Sequence, residues 1–217
     1  FSVEEIETRL QISQAKGIFT QDIVRRGEES IPLYDKVVQA NAPKIIVCSE
    51  ANDLTVSLRA GDLSWEDFMA MAKAEDAILG YDPFIGDSAK VTNILFSSDS
   101  AGDPKAIPWS QVTPIKAAAD GWAHHDIQIG DVVAWPTNLG WMMGPWLIYA
   151  ALLNGGAIAL FEGSPLGRAF GEFVQNAQVT MLGVGPSLVK AWRGSGCMAG
   201  LNWESIKCFS STGEASD

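Results

Sequence analysis

The chain has 217 residues, of which 47% are hydrophobic and 19% charged, and carries a formal net charge of −11. That length and apolar content can bury a sizeable core and exclude a disordered or fibrous chain. The acidic balance excludes a nucleic-acid surface or an anionic membrane as the main partner, since both demand clustered Lys and Arg; a nucleotide in a locally positive pocket stays compatible.

In chain order, residues 3–11 are amphipathic at helical spacing, with Ile6 and Leu10 on one side and Glu4, Glu5 and Arg9 elsewhere. Residues 16–20 read as a short strand, 31–40 as a helix with Pro32 near its first turn, and 44–48 as an apolar strand after Pro43. Ser64 is placed to cap a further helix, with Asp67 in a capping-box position. Residues 76–88 cluster Gly, Pro and Asp and form the best linker, dividing a 1–90 α/β subregion from a 91–217 core. From residue 91 the rhythm is regular: strand 92–97, a loop of small residues, and a helix opened by Thr113-Pro114 with Ile115, Ala118, Ala119 and Trp122 on one face. Then come strand 131–135, helix 144–153, strand 157–161, helix 168–177, strand 179–184, helix 187–192 and strand 206–211. Apolar strands alternating with helices predict an α/β fold: a mainly parallel sheet flanked by helices.

Cys48, Cys197 and Cys208 are too few and scattered for a disulfide framework, no spacing suggests a zinc site, and a reducing compartment follows. The longest apolar run, 146–153, is too short to cross a bilayer. The Phe-Ser-Val-Glu-Glu start lacks a signal-peptide order and leads us to expect a piece of a longer protein.

Ligands in such sheets sit beyond the carboxyl ends of strands. Three post-strand segments stand out: 97–105, 136–144 and 211–215. In the first, small residues let backbone N–H groups approach a polyphosphate and Lys105 supplies positive charge. Asp99 and Asp103 stand in conflict with that role. On spacing alone, other readings stay open. The loop is equally an ordinary strand-to-helix turn, Trp141, Met142 and Met143 are plain core, and Glu214 is a solvated turn carboxylate. His124 and His125 point apart at a helix end and read as structural. Lys190 and Arg193 read as an exposed helix face, and Asp120 and Asp126 make no triad.

Taken together, the segments resemble the AMP-forming acyl- and acetyl-CoA synthetases of the adenylate-forming superfamily. Ser98-Asp-Ser-Ala-Gly-Asp-Pro-Lys105 occupies the place of the family's Ser-Gly-Ser/Thr-Thr-Gly-x-Pro-Lys phosphate loop. Asn138-Leu-Gly-Trp-Met-Met-Gly144 matches the segment bordering the acyl pocket, and Ala151 through Phe161-Glu-Gly163 the following unit. Thr212-Gly-Glu-Ala215 falls where the family has its adenine-contacting Gly-Glu-Pro. Lys16-Gly-Ile-Phe-Thr-Gln-Asp22 and Ile31-Pro-Leu-Tyr34 are similar to the plant peroxisomal acyl-activating branch.

The resemblance implies part of the family's N-terminal domain and an AMP-forming acid–thiol ligase using ATP with Mg²⁺ and CoA. A carboxylic acid becomes an acyl-adenylate and then a CoA thioester. It implies phosphate binding by Ser97, Ser98, Ser100, Gly102 and Lys105, Lys105 also taking the catalytic role. Thr212, Gly213, Glu214 and Ala215 would meet adenine, and Trp141, Met142, Met143 and Gly144 would form the acyl pocket, the methionines suiting a medium or larger acyl group. No resident metal, nucleic acid or integral membrane segment is implied, and the family branch points to peroxisome or cytoplasm. Two departures matter: Asp99 stands for the loop's Gly and Ala101 for its second Thr. The ribose-binding Asp, hinge and lysine-bearing C-terminal domain of the family are not within the chain. Turnover by this segment alone is therefore not expected. An inactive nucleotide- or acyl-binding remnant and a structural domain are the alternatives.

Overall fold

The computed structural model describes residues 1–26, 29–49, 53–72, 85–97 and 104–215. Two compact units are formed, one from Phe1–Gly86 and Phe96–Ile107, the other from Asp87–Leu95 and Pro108–Asp217.

In the first unit, α1 (Val3–Ser13) starts at Ser2, whose hydroxyl accepts the Glu5 N–H while the Glu5 carboxylate accepts the Ser2 N–H. This reciprocal cap satisfies two otherwise orphaned donors. The unbroken apolar run Ile45-Ile-Val forms β4 (Ile45–Cys48) at the centre of a parallel sheet, between β1 (Ile18–Gln21) and β5 (Leu63–Ser64). A hairpin, β2 (Ile23–Arg26) with β3 (Glu29–Pro32), leads into α2 (Leu33–Gln39). The expected 31–40 helix is thus shorter: Ile31 and Pro32 belong to β3, and Pro32 is the N-cap. Tyr34, Val37, Ala42, Ile45 and Val47 make the core.

Two buried carboxylates are fully engaged there. Asp62 accepts bonds from the Tyr34 hydroxyl, the Ile45 N–H and Arg59, and Asp22 from the Ile23 N–H and both donors of Thr55. Ser64 caps α3 (Trp65–Ala72) by accepting the Asp67 N–H. The Asp67 carboxylate turns back only to the Ser64 hydroxyl, Asp being one methylene shorter than the Glu of a full capping box. The linker expected at 76–88 lies largely outside the described residues.

The second unit is built on a four-stranded parallel sheet in the order β11 (Cys208–Ser211), β10 (Met181–Val184), β8 (Val132–Ala134), β9 (Ala157–Ala159). Side chains alternate between its faces. Val133 and Met181 join Ile127 with Leu147, Ala150 and Ala151 of α5 (Met143–Leu152) on one face. Ala134, Leu182 and Val184 join Phe170 and Val174 of α6 (Arg168–Asn176) and Trp192 of α7 (Pro186–Ser195) on the other. Burial on both faces explains the continuous apolar strands and fulfils the expected α/β class. The remaining helix, α4 (Val112–His125), packs on α5 where Gly121 meets Ala150. Its N-cap is Gln111, and Thr113 instead accepts the Ser110 N–H. Among the described residues no helix is long and apolar enough to cross a membrane.

The strand at the head of the small-residue loop, β6 (Val91–Phe96), pairs with β7 (Ala106–Ser110) in a two-stranded sheet of its own. This corrects the expectation of a single sheet carrying all three post-strand segments. β8 and β11 flank β10 in one sheet, whereas β6 and β7 hydrogen-bond to each other.

Candidate adenylate and acyl site

Because all four strands of the second unit's sheet are parallel, the segments leaving β8, β9, β10 and β11 emerge at one end. After β8 the chain makes a tight turn: Asn138 Oδ1 accepts the Gly140 N–H at 2.7 Å and the Asn138 carbonyl accepts the Trp141 N–H at 3.0 Å. The turn holds the Trp141 indole 60% exposed at the rim. It seats on the first turn of α5 because Gly144 has no side chain; any Cβ there would overlap the Leu139 backbone. After β11, Gly213 takes φ of +96°, a conformation that favours glycine. Glu214 follows, its carboxylate accepting the Ser187 hydroxyl at 2.6 Å at the start of α7.

These segments enclose two adjoining clefts. One, of about 500 Å³, is lined by Trp135, Trp141, Met143, Ser187, Gly213 and Glu214 among others. The second, of about 370 Å³, shares Trp135 and Trp141 and adds Leu139, Phe161 and Phe170. A mostly apolar surface with a few convergent polar groups is the usual make-up of a small-molecule site.

Trp141, Met143, Thr212, Gly213 and Glu214, which the sequence picked out separately, therefore border one cleft. The others fall differently. Met142 is 60% exposed and borders neither cleft, Ala215 is exposed just past the rim, and Gly144 is buried under the turn. The room Gly144 leaves is taken by Leu139 rather than offered to an acyl chain.

Ser97 and Lys105 pair with each other at the base of the loop: Ser97 N–H donates to the Lys105 carbonyl at 3.0 Å, and Lys105 N–H to the Ser97 hydroxyl at 3.1 Å. They belong to the first unit and the clefts to the second. Ser98, Asp99, Ser100, Ala101 and Gly102 lie outside the described residues. Among the described residues no group of three His, Cys, Asp or Glu side chains could hold a metal ion.

Sequence reading missed Trp135, Gly185 and Ser187. The signal for the last two was the Gly-Pro-Ser run directly after a buried strand, a strand-to-helix turn at a carboxyl end. His125 has a structural place: its Nε2 is 2.9 Å from the Ser210 hydroxyl of β11, and its ring meets Trp146 edge-on. At the opposite end of the sheet Lys207 ties Asp131 at 2.7 Å and the Asp126 carbonyl at 2.5 Å. Burial raises the proton affinity of the Asp131 carboxyl. The Lys207 ammonium, the Gln128 N–H and the Thr180 hydroxyl outweigh that and hold it below the usual carboxylate range.

The sequence matches the profile of the AMP-binding enzymes over residues 1–215. The chain belongs to that family. Among AMP-binding enzymes it is 56% identical to a hexanoyl-CoA synthase of Cannabis sativa and 53% identical to probable acyl-activating enzyme 17, peroxisomal, of Arabidopsis thaliana. Both alignments cover 100% of this chain but 30% of the relative, so the chain spans about a third of the length of these curated relatives. An acetoacetyl-CoA synthetase from Streptomyces lividans superposes with a TM-score of 0.82 at 26% identity, over 99% of this chain and 33% of its own. A luciferase-like enzyme from the mealworm Zophobas morio, at 19% identity and a TM-score of 0.72, shares the AMP-binding fold, over 100% of this chain and 47% of its own.

Proposed function

We propose that the chain is the forward part of the adenylating region of an acyl-CoA synthetase. The observation that carries the reading is the single cleft in which Trp141 and Met143 face Thr212, Gly213 and Glu214. In it the carboxylate of an aliphatic acid would lie against the α-phosphate of Mg-ATP, with adenine on the 212–215 segment and the acyl chain against Trp141 and Met143. By the family resemblance alone, Ser97, Ser98, Ser100, Gly102 and Lys105 are proposed as phosphate-binding residues, with Lys105 as the neutralising cation. Mg²⁺ enters as part of the nucleotide substrate, whose phosphates supply most of its ligands. In-line attack gives acyl-adenylate and pyrophosphate; the thiol of CoA then displaces AMP. Positioning and electrostatics carry such a reaction. The hexanoyl-CoA synthase relative supports a medium-chain acid, and the acyl-activating relative's name supports a peroxisomal setting.

A second reading, a nucleotide- or acyl-binding remnant without turnover, is favoured by Asp99 and Ala101. At ~5 Å and an effective dielectric of ~20, a carboxylate repels each phosphate charge by roughly 3 kcal/mol. A missing hydroxyl donor adds about 1–3 kcal/mol if its phosphate oxygen goes unpaired. In the full-length protein carrying this segment, isothermal titration with ATP and a non-hydrolysable acyl-adenylate, together with pyrophosphate release on adding acid, distinguishes the two. The double change Asp99→Gly, Ala101→Thr is expected to tighten ATP binding at least tenfold. Unchanged affinity refutes the charge argument, and absence of any adenylate binding refutes the site.

A further inference from the structure

Trp135 directly follows β8 and borders both clefts. Its indole is seated against Gly183 in β10, where any Cβ would overlap ring carbons Cδ2 and Cε3. On its other side it meets Trp146 of α5 edge-on, with centroids 5.7 Å apart and planes at 76°. Trp146 is in turn braced edge-on by His125 at 5.0 Å, and His125 is anchored to Ser210 of β11. The ring therefore lies between the sheet and α5, in contact with Gly183 and Trp146. A smaller residue at position 135 would leave room beside both clefts, between Gly183 of β10 and Trp146 of α5. The glycine at 183 admits the bulk of the indole.

From this geometry we propose that Trp135 is the length gauge of the acyl pocket, restricting the protein to short and medium aliphatic acids. The inference rests on the acyl-CoA synthetase reading above. A wall at that place excludes an over-long chain by overlap, and each methylene that finds room adds apolar contact. Removing the wall therefore lengthens the preferred chain, and trimming it lengthens the chain by less.

The test uses the full-length protein carrying this segment, titrated with acyl-sulfamoyl-adenosines whose chains run from acetyl through hexanoyl and decanoyl to hexadecanoyl, with AMP as reference. Trp135→Leu is expected to move the affinity optimum to longer chains, gaining roughly fourfold per methylene newly accommodated. Trp135→Phe, a smaller ring, is expected to give a smaller shift in the same direction, each affinity being taken relative to that for AMP. An unchanged chain-length profile in folded Trp135→Leu overturns the gauge while leaving the ligase reading intact, as does an equal loss for every chain length. A wild-type protein that binds neither AMP nor any acyl analogue overturns the ligase reading and the gauge with it. Should Trp135→Leu fail to fold, the shift to longer chains expected of Trp135→Phe still decides, and its absence overturns the proposal.

Discussion

Met142 and Met143 are neighbours with unequal roles, and the reason is helical geometry. Successive residues on a helix project about 100° apart, so a helix start that turns Met143 to the cleft leaves Met142 in solvent. The sequence presented two methionines beside a tryptophan; only the position of the helix start chooses between them. Gly144 illustrates the same point, since a glycine in a motif can mean open space or close approach. Here it means close approach, and Gly144→Ala must displace the Leu139 backbone. We expect the variant to lose about 2–3 kcal/mol of stability, read as a lower thermal midpoint; a midpoint equal to wild type would show that the turn can lift off at no cost. Gly213, by contrast, is a case of backbone conformation, for which no space need be invoked.

At the scale of elements, strands and helices with strong apolar periodicity were legible in the sequence. The boundaries set by long-range partners were not. β7 escaped because Pro108 interrupts it, and proline argues against a central strand; in a two-stranded sheet β7 is an edge strand, where proline is tolerated. The start of α4 was misplaced because a Thr-Pro pair resembles a cap, whereas the Thr113 hydroxyl serves an N–H from the preceding strand. The Ser2–Glu5 capping box had its full signature in the sequence and could have been read.

The Asp131–Lys207 clamp joins the lead-in of β8 to that of β11. Asp131 has its proton affinity lowered by folding, so its contribution to stability is complete above the unfolded carboxylate pKa. It is lost as pH falls through the lower folded value. Stability should thus hold level at neutral pH and decline below about pH 4. Asp131→Asn should be less stable at neutral pH and show a shallower acid decline, measured by denaturant unfolding across pH. A wild-type acid limb matched by the variant would remove the clamp from the account.

At the scale of the molecule, the pattern of alternating strands and helices announced the fold class, but it could not announce which strands share a sheet. Strand order depends on pairings between residues far apart in sequence, and β6 reads locally like any other buried strand. That is why segments 136–144 and 211–215 border one cleft, while the strand before residue 97 has a separate partner. The surface of α4 bears on the behaviour of the isolated chain. Val112, Ile115 and Trp122 form an outward apolar stripe, with Ile115 and Trp122 66% and 60% exposed. The 217-residue chain by itself is expected to associate with rising concentration, and Ile115→Lys with Trp122→Gln to suppress this in sedimentation equilibrium. A strictly monomeric wild-type chain would contradict it.

The edge-on pair of Trp135 and Trp146 has a further consequence. Two indoles this close and this steeply inclined couple their electronic transitions, giving a chiral optical signature that neither ring has alone. One of the two borders both clefts, so an occupant lying against that ring changes its surroundings and with them the signature. The chain thereby carries its own unlabelled reporter of occupancy, readable by circular dichroism without any introduced dye.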